Sequence, residues 1–151
     1  MTSDERLDAT DLEIIDLLRA DGRATLAAIG ARVSLSSPAV KRRIDRLEAL
    51  GVIRGYTVLL DHAKVGQPLE AFTELRFAGT TKVDDIAGVA TDLPEVQAVF
   101  TMAGDPDALV WMRVSDVDHL KRVVDQLRRS GKVVGTKTLM VLGTWTRDGM
   151  A

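Results

Sequence analysis

The chain has 151 residues, with 20 Lys and Arg against 22 Asp and Glu, a formal net charge of -2 and no cysteine. Disulfides and thiolate metal sites are thereby excluded. The slightly acidic balance argues against a protein that coats nucleic acid everywhere, yet leaves room for a local cationic patch that a dimer would double. Apolar residues make up 46 % of the sequence, enough for a core. No uninterrupted apolar run is long enough to span a bilayer, and the acidic, polar start MTSDERLDATD does not read as a secretory or transit signal. A cytoplasmic protein is expected, with no membrane association. His62 and His119 stand in no metal-ligand spacing, so both are expected at the surface, and neither a metal nor a cofactor is expected.

The N-terminal part, to about Gly55, has helical periodicity. Leu12, Ile15 and Leu18, supported by Ile14 and Leu17, predict a first helix. Asp8 or Thr10 can cap it, Thr10 with Glu13 makes a capping box, and Asp21-Gly22 stops it with the glycine suited to a left-handed C-terminal position. A second helix starts near Thr25 and packs through Leu26, Ile29 and Val33, and Ser34-Leu35-Ser36 makes a turn. Ser36 or Ser37 caps a third helix, with Pro38 in its first turn, where a missing amide costs little. Val40, Ile44 and Leu47 form its apolar stripe. At about 100° per residue, Pro38, Lys41, Arg42, Asp45 and Arg46 point broadly away from that stripe. Arg43 lies on the flank, where it can pair with an acid on the first helix. Gly51 ends the helix, and Val52 to Tyr56 starts an extended run that suits a wing.

Two short amphipathic helices joined by a tight turn, the second crowded with cations, form the layout of a helix-turn-helix. Lys41, Arg42 and Arg46 are then placed to reach phosphates or guanine edges. The amides of Ser36 and Ser37, with Pro38 beside them, can meet a phosphate at the helix start, and Arg54 can hold backbone phosphate next to the groove.

Beyond Tyr56 the pattern changes. Thr57 to Leu60 is extended and Asp61 to Pro68 reads as a linker. Ala71 to Phe77 is a strand, Val83, Ile86, Val89 and Leu93 mark a helix, and Val96 to Met102 and Ala108 to Val114 are two strands joined by the turn Ala103 to Asp107. Val117, Leu120, Val124 and Leu127 mark another helix, capped by Ser115 or Asp116 and stopped by Gly131, before a final strand over Val133 to Leu142. The order β-α-β-β-α-β is the ferredoxin-like arrangement, with both helices on one face of an antiparallel sheet. The fold class is thus α+β: a winged helix-turn-helix domain over residues 1–56, a connecting strand and linker over 57–68, and a ferredoxin-like domain over 69–151. The strands carry apolar residues in both parities, as with Phe72 against Leu75 and Phe77, or Leu109 and Trp111 against Val110 and Met112. Their second face is too apolar for water and is expected to be buried by a second subunit.

Several short motifs recur in one known family. They are Leu7-Asp8 with Asp11, Asp21-Gly22-Arg23, Leu35-Ser36, Val40 followed by Arg43, Arg46-Leu47-Glu48, and Gly51-Val52-Ile53 with Gly55-Tyr56. In the C-terminal half they are Val96 to Phe100, Gly104-Asp105-x-Asp107, and Thr136-x-Thr138 leading into Leu142. In this the chain resembles the Lrp/AsnC, or feast/famine, transcriptional regulators over nearly its whole length. The resemblance implies a regulator that binds a double-stranded DNA operator. It also implies a homodimer that assembles further to a tetramer or octamer, and an amino-acid or related small-molecule effector bound between effector domains.

For that effector, the loop Ala103 to Asp107 offers exposed amides at Gly104 and carboxylates at Asp105 and Asp107 to hold a carboxylate and an ammonium group. Thr136 and Thr138 share one strand face and can hydrogen bond, and Met102 can line the side-chain pocket. One position departs from the family: many relatives carry an aromatic residue, often tyrosine, where this chain has Pro106, which fixes φ and removes an amide donor. An enzyme would have to use Asp105 and Asp107 as acid-base groups or metal ligands, but the chain lacks a nearby histidine, a nucleophile with its base, or a Gly-rich phosphate loop. The alternative within the same fold is an architectural DNA-organising protein without a working effector site.

Overall fold

Asp8 starts the first helix, α1 (Ala9–Ala20), through a reciprocal capping box: its side chain accepts from the Asp11 amide, while the Asp11 carboxylate accepts from the Asp8 amide. The computed structural model describes residues 6–79, 81, 85, 88 and 90–145. The capping box belongs to Asp8 and Asp11 rather than to Thr10 and Glu13, and the helix begins two residues earlier than a Thr10 cap would set it. The buried face is also rotated from the expected one. Ile14 and Asp11 are the fully buried residues, whereas Leu12 is half-exposed. At the far end the chain leaves through Asp21 in an extended conformation, its carboxylate accepting from the Arg23 amide at 2.9 Å. Gly22 does not take the left-handed position expected of it.

Thr25 caps α2 (Leu26–Val33), and Ser36 caps α3 (Ser37–Ala49), with Pro38 in its first turn. Ser34 at φ 56 makes the sharp turn between them. Gly30 is essential to that turn, because a Cβ there would lie 2.4 Å from the Leu35 carbonyl oxygen. Ile14, Ile29, Val40 and Ile44 form the buried core, with Leu26, Val33 and Ile53 packed against it. Gly51, at φ 70, ends α3, and the amides of Val52 and Ile53 both return to the Leu47 carbonyl. Residues 54–60 form no strand, so the expected wing is an irregular segment; its Tyr56 hydroxyl donates to Glu48 at 3.0 Å.

One compact unit ends at Leu59 and a second begins at Leu60. The segment read as a linker is folded into successive turns over 62–66, closed by bonds such as the Gln67 amide to the His62 carbonyl at 2.8 Å. The sheet of this unit has four strands: β1 (Leu69–Phe77), β2 (Val96–Thr101), β3 (Ala108–Val114) and β4 (Val133–Met140), in the order β2-β3-β1-β4. All neighbours are antiparallel. Asp116 caps α4 (Val117–Arg129), whose Leu120, Val123, Val124 and Leu127 are buried. This is the ferredoxin-like topology expected; of the helix expected over Val83 to Leu93, the marker residues Val83, Ile86 and Val89 lie outside the described residues. Ala71, Leu75 and Phe77 of β1 join Ala108, Val110, Met112 and Val114 of β3 and the α4 residues in one core.

The opposite face of the sheet carries an apolar row. Phe72 pairs with Trp111 on one side and Leu139 on the other, and the Phe72 and Trp111 rings are stacked at 6.3 Å. Neither histidine is the surface residue expected. His119 is 2.8 Å from Glu95, because the N-terminal turn of α4 folds it onto the segment before β2, and His62 is half-buried among the turns that precede β1.

Gly30→Ala adds an atom against backbone that cannot retreat. The overpacking outweighs the gain of about 1 kcal/mol in helix propensity, and a net loss of about 2 kcal/mol is expected. Urea denaturation followed by circular dichroism measures it. An unchanged midpoint would show that the α2–α3 turn opens freely.

Candidate nucleic-acid interface and effector loop

Helix α3 carries its cations in two groups. Arg43 and Arg46, three residues apart and so on one ridge, turn back to α1. The Arg43 guanidinium is 2.7 Å from both Asp8 and Asp11, and Arg46 bonds the other Asp11 oxygen. Asp11 has no exposed surface. Arg43 pairs as its flanking position predicted. Arg46 departs from expectation: the ridge it shares with Arg43 lets its long side chain reach the buried acid, so it is not directed wholly outward. The unexpected participant is Asp11, whose signal in the sequence is an acid placed three residues before Ile14, in phase with the buried stripe.

The second group faces solvent. Lys41 pairs with Asp45 at 2.6 Å in an exposed contact of the kind that contributes little to stability. Arg42 is exposed and has no ion-pair partner among the described residues. Ser37 begins the helix and Pro38 is exposed beside it, while the Ser36 side chain caps the Ala39 amide. Arg54 is exposed on the irregular segment after α3. Arg6, Ala39, Arg42, Arg43 and Arg46 line a concavity of about 770 Å³. Such a clustering of guanidinium groups around a helix start attracts phosphate.

In the second unit, the Met102 amide bonds the Asp107 carbonyl, and the Asp107 amide bonds the Leu75 carbonyl. The loop between carries Gly104 at φ 133, a conformation that favours glycine. Asp107 accepts from the Phe77 amide at 2.7 Å and so ties the loop to the end of β1. Asp105 is paired with Arg76 at 2.7 Å, and this hydrogen bond is the chief cause that raises the Arg76 pKa. Arg76 was not anticipated as a partner of the loop; its signal is the one cation in a strand whose other charged residues, Glu70 and Glu74, are acidic. Thr136 and Thr138 pair with Leu75 and Thr73, the buried residues of β1, so they lie on the helix-covered face. Arg128 donates to Thr136, and Thr138 shares a 3.0 Å hydrogen bond with Thr73. Arg76 stands between Leu75 and Phe77 in β1 and points to the other face. The two threonines and the Arg76–Asp105 pair are therefore on opposite faces of the sheet.

Comparison with known proteins accounts for both units. Residues 7–48 match the AsnC-type helix-turn-helix domain, and residues 70–150 match the Lrp/AsnC ligand binding domain. The chain belongs to the Lrp/AsnC family. It is 37 % identical over 138 residues to the HTH-type transcriptional regulator Rv2324 of Mycobacterium tuberculosis, covering 91 % of this chain and 93 % of that one. It is 35 % identical over 124 residues to the glutamate uptake regulatory protein of Zymomonas mobilis, covering 81 % and 76 %. Among solved structures it is similar to the transcriptional regulator NMB0573 of Neisseria meningitidis in complex with L-Met, with a TM-score of 0.88, 28 % identity and 94 % of each chain covered. This Lrp/AsnC protein is accordingly a DNA-binding transcriptional regulator with an α+β architecture. No helix among its described residues is long and apolar enough to cross a membrane.

Removing the carboxylate in Asp11→Ala leaves two half-buried guanidinium groups without their common partner. Loss of a buried ion pair costs about 3–5 kcal/mol, and because Arg43 and Arg46 keep access to water, about 2 kcal/mol is expected here. A melting point within error of the parent would remove Asp11 from this role. A second expectation concerns acid. The Asp8 carboxyl is held below its ordinary value of 3.8, first by the hydrogen bond from Arg43 and then by the Asp11 amide. A depressed folded-state value gives stabilisation that is present above the unfolded value and lost as the pH falls through the folded one. The melting point should therefore decline on acidification below 3.8, and Asp8→Asn should flatten that part of the profile.

Proposed function

We propose that this protein is a cytoplasmic, non-catalytic regulator that binds a DNA operator through α3 and answers to an amino acid or related small metabolite at its second unit. In this reading, residues 1–56 bind DNA, 57–68 connect, and 69–151 bind effector and assemble. The observation that carries the DNA part is the division of cations on α3. Arg43 and Arg46 are tied to α1, with Arg46 left a place at the rim of the groove, while Arg42 and the loosely paired Lys41 face outward. Lys41 and Arg42 are assigned to phosphates or guanine edges, Ser36, Ser37 and Pro38 to the phosphate at the helix start, and Arg54 to flanking backbone.

The effector is assigned to the loop and its surroundings: Met102, Gly104, Asp105, Asp107, Thr136 and Thr138. The Arg76–Asp105 pair presents one positive and one negative group side by side, which matches the carboxylate and ammonium of an amino acid. Because that pair and the two threonines stand on opposite faces of the sheet, the reading has the cleft completed between copies of the chain. The NMB0573 structure, solved with L-Met, supports the ligand class.

Assembly is assigned to the open sheet face. The row Leu139, Phe72 and Trp111, with Leu109 and a half-exposed Phe100 beside it, is an apolar stripe on a small domain. A second copy laid face to face buries it by the two-fold route most homodimers use.

Arg42→Ala is expected to weaken operator binding by about tenfold or more, equivalent to roughly 1–3 kcal/mol per lost contact, with the melting point unchanged. Fluorescence anisotropy with operator DNA measures it, and unchanged affinity would take Arg42 off the reading face. A thermal-shift screen of the full chain against amino acids and their keto acids tests the effector. A ligand of the native state must raise the melting temperature, and Asp105→Ala should abolish the rise while sparing DNA binding. A blank screen, together with binding to DNA of any sequence, would favour the architectural role.

A further inference from the structure

The far end of the sheet, away from the Gly104–Asp107 loop, holds a second polar site. Glu70 and Arg113 face each other across β1 and β3. With Leu60, His62, Pro68 and Thr144 they line a cavity of about 260 Å³. Arg113 is only 8 % exposed. Its guanidinium is 3.2 Å from Glu70 and lies over the Trp111 ring, 5.6 Å from the centroid. Glu70 is already well satisfied: one oxygen accepts from the Trp111 indole N–H at 2.6 Å and the other from the Thr144 hydroxyl at 3.4 Å. Asp61, the other acid on the rim, pairs with Lys64.

The nitrogen groups of the cavity residues are not satisfied in the same way. Arg113 Nε and His62 Nδ1 are both buried and have no hydrogen-bond partner among the described residues. Buried polar atoms without partners are costly, and two that belong to residues lining one cavity point to an absent group. Arg Nε always donates, and His Nδ1 donates in one neutral tautomer and in the imidazolium, so the absent group is an acceptor. A single water takes up about 30 Å³ of liquid, far less than the cavity, whereas a nucleotide is too large for it. Guanidinium N–H groups match the planar oxygens of a carboxylate, and Leu60 and Pro68 supply an apolar wall for a short hydrocarbon chain. We propose that this cavity binds a small carboxylate, with its oxygens on Arg113 Nε and His62 Nδ1.

This site is separate from the effector loop. Glu70 and Arg76 are six residues apart on one strand, a span of about 20 Å. The inference therefore does not depend on the effector reading.

The Trp111 indole N–H, bonded to Glu70, is a built-in reporter, and Trp145, 83 % exposed, is an internal control. The full chain with ¹⁵N-labelled tryptophan is titrated with isobutyrate and 2-oxoisovalerate, with isobutyramide as the uncharged isostere, and with inorganic phosphate. The expected result is a saturable shift of the Trp111 indole signal with the two carboxylates, half-complete in the millimolar range that a few hydrogen bonds supply, and none with the amide. His62→Ala should weaken the response at least tenfold, while Asp105→Ala should retain it. No saturable shift, an equal response to isobutyramide, or a response to phosphate alone would overturn the assignment. So would a response kept in His62→Ala and lost in Asp105→Ala, which would place the carboxylate at the loop instead.

Discussion

Asp11 has no exposed surface, and its two oxygens meet Arg43 and Arg46 of α3 while one of them also accepts the Asp8 amide at the start of α1. A carboxylate removed from water tolerates ionisation only when partners replace its solvent shell. The partners here come from two helices, so the requirement fixes α3 against α1 in both rotation and position. That constraint then decides which cations of α3 are left facing solvent. Two arginines are tied to the helix bundle, and Lys41 and Arg42, on the other side of the stripe, face outward. The turn at Gly30 acts on the third helix of the set: with no Cβ to keep them apart, α2 comes close enough to Leu35 to support α3 from behind. A buried acid on one side and a missing side chain on the other thus orient the same helix.

The second unit applies different physics to a similar end. Its helix-covered face is largely apolar, and the threonines on it are paired, Thr73 with Thr138 and Thr136 with Arg128. Its open face mixes an apolar row with charge pairs at both ends of β1, Glu70–Arg113 at one and Arg76–Asp105 at the other. Glu74, paired with Lys137 and Arg76, lies on the same face one step from the apolar row, so the row that a second copy buries in the assembly we propose is flanked by charge on both sides. Depletion of charge in the centre and its retention at the rim is the usual division of an interface.

Much of this was legible in the residues, and the failures share a cause. The stripe Val40, Ile44, Leu47, the Ser36 cap, the Gly51 stop and the strand order follow from periodicity and turn chemistry, which are local. Helix α1 was misphased because Asp11 counts as polar in any apolar pattern, although its burial is what sets the phase. Arg46 was placed outward because a helical wheel records the angle of Cβ and not the reach of six further atoms to an acid on another helix. Asp107 reads as a free turn carboxylate in sequence, and only the register brings the Phe77 amide to it, thirty residues away. The same holds for His62 and Arg113, which line one cavity although they are remote in sequence. What local patterns cannot carry is the pairing of polar groups across long stretches of chain.

The Arg76–Asp105 and Glu70–Arg113 pairs also differ in what a ligand must do to use them. Asp105 is exposed and Arg76 is 40 % exposed, so their mutual attraction is screened by water and is worth little. An amino acid that takes both groups loses almost nothing by separating them. Glu70 and Arg113 are nearly buried, and their pairing is reinforced by the Trp111 indole and ring. A ligand there gains by adding to the pair at the free Nε and not by breaking it. A ligand shifts a conformational equilibrium only by its difference in affinity between states. Opening a pair changes the local charge arrangement and so can distinguish two assemblies. Completing a pair stiffens the one arrangement already present, which suits the loop end of the sheet to switching and the far end to holding.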